Sequence, residues 1–80
     1  MRLLIWYLMM NVKLTEMTLE EAKTEMRRGN RVTHEYFEKD EFMYYSGGDY
    51  YFEDGVRIVW ELFFLDRKPS LWKNEYSIYE

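Results

Sequence analysis

His34 is the chain's sole histidine, so any imidazole base or imidazole metal ligand has to be this residue. Its neighbours do not furnish a site: there is no HxxxH or HExxH spacing and no serine in a nucleophile elbow. Alternating with Val32 and Tyr36, it is expected to be a packed, hydrogen-bonded strand residue. Cysteine is absent, which removes thiol catalysis, disulfides and cysteine-based zinc sites together. Ser46-Gly47-Gly48-Asp49 has the glycines of a phosphate loop but not the Lys and Ser/Thr that open a helix, and aromatic runs flank it. It reads as a turn. Asp49, Glu53 and Asp54 cluster without the ligand spacing of a calcium loop and read as a solvated acidic tip. The residues therefore predict no catalytic site, no metal and no cofactor.

Chemistry that the sequence does offer is stacking and ion pairing. Three Trp, eight Tyr and five Phe make up 20% of the 80 residues. Rings contribute large contact area for little rotamer entropy, and a guanidinium can hold a phosphate bidentately while a ring stacks a base. Tyr36, Trp60 and Trp72 are the stacking candidates; Arg28, Arg31 and Arg67 are the phosphate candidates.

The elements that must position these residues are legible in part. Thr18 stands three residues before Glu21 in a capping-box spacing. Leu19, Ala22 and Met26 follow on one helical face, and Arg27, Arg28 and Gly29 close it, so a helix is predicted over residues 19–28. Beyond Asn30 the period changes to two, and residues 31–37 (RVTHEYF) predict a strand. Glu38, Lys39 and Asp40 read as a turn. Two short aromatic runs around Gly47-Gly48 predict a tight hairpin in which Tyr45 faces Tyr50 and Met43 faces Phe52, with Tyr44 and Tyr51 paired on the other face. Asp54-Gly55 is a second turn. Residues 56–65 (VRIVWELFFL) are so continuously apolar that strand and helix both fit, with strand favoured at the β-branched start and a helical turn open near Trp60. Residues 66–70, with the chain's one proline, read as loop, and residues 75–80 as a final strand. The fold class is α+β: an antiparallel sheet of four to five strands with one helix in the N-terminal half. A single helix can cover only one sheet face, so part of the aromatic load is expected to stay at the surface.

Eighty residues suffice for one domain with a thin core. The reading is a single domain over residues 1–80, in which 17–80 form the folded core and 1–16 an apolar strand or an extension ahead of it. The run at residues 3–10 (LLIWYLMM) is far short of the ~20 residues a bilayer requires, and no small-residue cleavage site follows it. Membrane insertion and secretion are not expected. A net charge of −4, with acids and bases mixed along the chain, argues against a dedicated nucleic-acid binder. Without disulfides to hold so small a core, self-association into a homo-oligomer is expected.

The order of signals from Met17 onward carries a resemblance. A short Met17-Thr18-Leu19-Glu20-Glu21-Ala22 helix start precedes an R-R-G-N-R-V-T turn and strand. An aromatic hairpin closing on Glu53-Asp54-Gly55 follows, and a Y-S-I-Y-E strand ends the chain. This order resembles small phage-encoded proteins, the second-type Thoeris anti-defence signal sponges and their uncharacterised relatives. The resemblance implies a helix plus antiparallel strands, homo-oligomers in the host cytoplasm, and sequestration of a cyclic nucleotide-type signal at subunit contacts. Other relatives inhibit CRISPR effectors, so a host defence protein is an alternative partner. Where many members carry a basic residue and then Gly-Trp after the first turn, this chain carries Thr33-His34-Glu35-Tyr36-Phe37. The expected function is thus an aromatic and arginine pocket for a nucleotide-derived signal. The alternative is an acidic inhibitor presenting Glu35, Glu38, Asp40, Glu41, Asp49, Glu53 and Asp54 to a host enzyme, or a structural protein.

Overall fold

In the computed structural model, which describes residues 15–80, the first helix begins where the capping spacing puts it. Thr18 accepts from the Glu21 N–H at 3.1 Å, and the Thr18 N–H donates to Glu21 Oε1 at 2.9 Å. These two bonds satisfy donors that helix geometry leaves without partners. Helix α1 runs over Leu19–Arg27 and buries Leu19, Ala22 and Met26. Gly29, at φ 97°, turns the chain out of it, a left-handed conformation that glycine adopts without steric cost. The apolar run at residues 3–10, expected as a strand or extension, lies outside the described residues.

Four strands follow: β1 (Val32–His34), β2 (Met43–Ser46), β3 (Asp49–Phe52) and β4 (Tyr76–Ile78). They form one antiparallel sheet in the order β3-β2-β1-β4. Gly47 and Gly48, both at positive φ, close the β2–β3 hairpin, because a two-residue turn that matches strand twist needs that backbone at both positions. Tyr45 faces Tyr50, Met43 faces Phe52 and Tyr44 faces Tyr51, the register that alternation predicts.

β1 is shorter than the expected 31–37. The Tyr36 N–H donates to His34 Nδ1 at 3.0 Å and the Phe37 N–H to the His34 carbonyl at 3.0 Å, so the histidine curls the chain into a turn that propensity does not register.

The 56–65 segment resolves into both of its readings. Arg57 forms an isolated bridge with Tyr51, and Trp60–Phe63 forms a one-turn helix, α2. The expected loop after it contains a further one-turn helix, α3, over Pro69–Trp72, with Pro69 at its first position where a missing N–H costs nothing. The fold therefore has more helical cover than the single helix expected. Met17, Leu19, Ala22, Met26, Val32, Met43, Ile58, Phe63 and Tyr76 make the core. α1 and the α2–α3 connection cover the sheet face that carries Val32, His34, Met43 and Phe52. The Tyr76 phenol is buried there and donates to the Trp72 carbonyl at 2.6 Å, and burial pushes its pKa well above the ordinary tyrosine range.

Thr18→Ala removes one half of the capping box and is expected to lower stability by about 1 kcal/mol. Met26→Ala opens the centre of the core and is expected to cost about 2–5 kcal/mol. Urea unfolding of both variants beside the parent checks the order as well as the size.

Candidate functional site

Along each strand alternate side chains point to opposite faces, so the face away from the helices is fixed by register. Arg31 lies opposite Tyr79 and Tyr44 if the β1 pairings are continued by one residue, and Tyr44 lies opposite Tyr51, which in turn bridges Arg57. The result is a row across the sheet: Arg57, Tyr51, Tyr44, Arg31 and Tyr79. Phe42 stands diagonal to Arg31. Its ring is 4.8 Å from Tyr79 and 6.3 Å from Tyr44, and Tyr44 stacks on Tyr51 at 5.5 Å. The Arg31 guanidinium is 5.0 Å from both the Phe42 and the Tyr79 ring centres. No ion pair engages Arg31 among the described residues, and Arg31 is exposed while the four rings are half-buried. Rings held on edge-limited strands beside an unneutralised guanidinium present π surface and positive charge together.

The other sequence candidates lie elsewhere. Tyr36, Trp72 and Arg67 share one cluster on the helix-covered side. Trp72 stacks on His34 at 4.1 Å with planes 17° apart, and Tyr36 meets Trp72 edge-on at 5.7 Å. The Arg67 guanidinium is 4.4 Å from the Phe63 ring centre and 5.1 Å from that of Trp72, and it donates to the Phe63 carbonyl at 3.3 Å. This cluster holds α3 to the sheet; the Trp72 ring already has an imidazole and a guanidinium against it. Tyr36 alone in it is broadly exposed, at 55%. Trp60 packs edge-on against Tyr50 and Phe63, with Lys23 Nζ 4.5 Å from its ring centre. Arg28 is spent on Glu25, whose buried carboxylate it reaches at 3.1 Å while Asn30 donates to the other oxygen at 3.0 Å. Of the six candidates, then, three are gathered around His34, two stand apart, and Arg31 occupies the opposite face. Phe42, Tyr44, Tyr51, Tyr79 and Arg57 were not among them. Strand parity was the signal that placed them, and it was usable only for the hairpin, where the turn fixes the register.

His34 is 3% exposed and both its ring nitrogens are engaged. Nδ1 accepts from the Tyr36 N–H, so the proton sits on Nε2, which donates to the Asn74 carbonyl at 2.8 Å. Neither nitrogen is open to a substrate. Among the described residues no group of acids and histidine is arranged to hold a metal ion. Two grooves border the helices. One, of about 450 Å³, is lined by Leu19, Lys23, Phe64 and Lys73, and the other, of about 210 Å³, lies between β3 and α2.

Burial lowers the His34 pKa below 6.5, against smaller raising effects from its backbone hydrogen bonds to Asn74 and Leu71 and from Glu35, with Arg67 adding to the lowering. A histidine depressed in the folded state takes up its proton more readily when unfolded. Stability is therefore full above the unfolded value, about 6.5, and is lost as pH falls below it. Urea midpoints are expected to drop between pH 7.5 and 5.5 in the parent, and to change much less in His34→Asn, which carries no titrating ring.

No protein-family model, no curated protein and no solved structure matches this chain.

Proposed function

We propose that this chain is a non-enzymatic binding protein whose working surface is the open sheet face, and that it holds a nucleotide-derived ligand there. The observation that carries this reading is Arg31: an exposed guanidinium with no acidic partner among the described residues, set 5.0 Å from two aromatic rings on the sheet face away from the described helices. A phosphate would pair with the guanidinium, a geometry that favours two parallel hydrogen bonds. A base would lie on Tyr79, Phe42 or the Tyr44–Tyr51 stack, where each base–ring contact contributes about 1–3 kcal/mol. The motif order, which resembles that of phage anti-defence sponges, points the same way, toward an accessory protein that sequesters a cyclic nucleotide-type signal in the host cytoplasm, working as a homo-oligomer.

A second reading has its own observation. Glu35, Glu38, Asp40, Asp49, Glu53 and Asp54 are all exposed, and the ion pairs among the described residues are Lys23–Glu20 and Arg28–Glu25, which leave these six acids unneutralised. Such a surface suits an inhibitor that covers the basic channel of a host enzyme. Binding of that kind weakens steeply with salt, whereas stacking on the sheet face does not.

Native mass spectrometry of gently purified protein, with thermal shifts against cyclic dinucleotides and cyclic ADP-ribose isomers, tests the first reading. A retained or stabilising nucleotide is expected. Arg31→Gln and Tyr79→Ala should each weaken it about tenfold, a loss near 1.4 kcal/mol, while Arg28→Gln leaves affinity unchanged. No retained nucleotide together with no shift from any of these ligands sinks it.

A further inference from the structure

The groove between β3 and α2 lies beyond the Arg57 end of the row that carries Arg31, on the helix side of the sheet, and has features that the nucleotide reading does not use. Phe52, Ile58 and Phe63 line its interior, and Val56 and Leu62 stand at its margin, exposed at 56% and 63%. Leu65, one turn further on, is exposed at 74%. Isolated exposed aliphatics need no explanation, but Val56 and Leu62 flank one apolar groove and form a patch with it. At about 210 Å³ the groove is smaller than the about 300–1,000 Å³ usual for small-molecule sites, and suits one or two side chains.

Backbone geometry adds direction. The Phe52 N–H donates to the Val56 carbonyl at 2.9 Å and the Ile58 N–H to the Tyr50 carbonyl at 2.8 Å. With bonds on either side of it, Arg57 is the non-hydrogen-bonded member of its pair with Tyr51, so its own N–H and C=O point away from β3 toward open solvent. Neither has a hydrogen-bond partner among the described residues. Among the described residues this is an unfilled sheet edge, one residue wide, beside an apolar groove.

Charge then selects the occupant. Two arginines line the groove: Arg67 is engaged by the Phe63 and Trp72 rings and the Phe63 carbonyl, while Arg57 is exposed and in no ion pair among the described residues; Glu61 and Asp66 are exposed on and after α2 but do not line it. We infer that this edge docks a short extended peptide segment of another protein, pairing its backbone with Arg57, placing an aliphatic side chain in the groove and, on the alternate face of the segment, a carboxylate beside the Arg57 guanidinium. A lone fatty acid would leave the edge amide and carbonyl of Arg57 unused.

Selection from a random heptapeptide display library against the full chain tests this. Peptides that alternate aliphatic and acidic residues are expected to emerge. A synthetic version of the strongest should shift the amide resonances of Val56, Arg57, Ile58 and Leu62 and slow hydrogen exchange at Arg57. Leu62→Asp and Arg57→Glu, both at exposed positions, should each weaken it about tenfold or more with an unchanged circular dichroism spectrum. Arg31→Gln should leave it intact, which separates this edge from the nucleotide site. Library selection that yields no enrichment, peptides that are basic rather than acidic, or resonance shifts confined to the sheet face overturn the inference. So does sedimentation showing that a second copy of the chain occupies the groove and that Leu62→Asp releases it.

Discussion

Two-residue alternation along very short strands divides the rings of this protein into two populations with different fates. On one face Phe52, Tyr76 and the side chains around His34 meet helices and enter the core. On the other, among the described residues, Phe42, Tyr44, Tyr51 and Tyr79 lie against one another, Arg31 and the paired Arg57. With three or four residues per strand there is no length over which a slip could be averaged out, so the register has to be pinned locally. Gly47 and Gly48 pin it for the hairpin. For β1 and β4 the pinning is done by His34, whose Nε2 bond to Asn74 ties the end of β1 to the approach to β4. The polar centre of the fold and the identity of its open surface are in this way one problem.

That dependence explains what the sequence could and could not disclose. The helix over Leu19–Arg27 was legible because its stops and starts are chemical: a hydroxyl and a carboxylate at one end, a glycine at the other. The hairpin register was legible for the same reason. The α2 turn was legible only as one of two readings of residues 56–65, and α3 was not legible, since four-residue helices are decided by what they pack against rather than by period. Missing them mattered. Trp60 and Trp72 looked like surplus rings because no cover for them could be foreseen, and the cover turned out to be the segment that contains them. His34 was rightly read as structural, yet its effect on strand length was invisible, because a side chain accepting from its own backbone two residues on leaves no periodic trace. Arg31 was legible as a candidate and Tyr44 and Tyr51 as a pair on the face away from Met43; that Phe42, Tyr79 and Arg31 join that pair was not, since it follows from the β1 pairing and not from any motif.

Arginine serves opposite ends in this molecule. Arg67 spends its guanidinium on rings and a carbonyl inside the fold, and Arg28 on the buried Glu25 carboxylate, where both act as struts. Arg31 and Arg57 keep theirs at the surface. In so small a chain the difference is set by strand parity and edge position, and a count of basic residues cannot reveal it.

The face-to-face stack of Trp72 on His34 also has an optical meaning. An indole lying on a neutral imidazole emits differently from one against water or an imidazolium, so Trp72 is a built-in reporter for the joint between α3 and the sheet. Because burial lowers the proton affinity of the stacked imidazole, the indole keeps a neutral ring against it to a lower pH than an exposed histidine would allow.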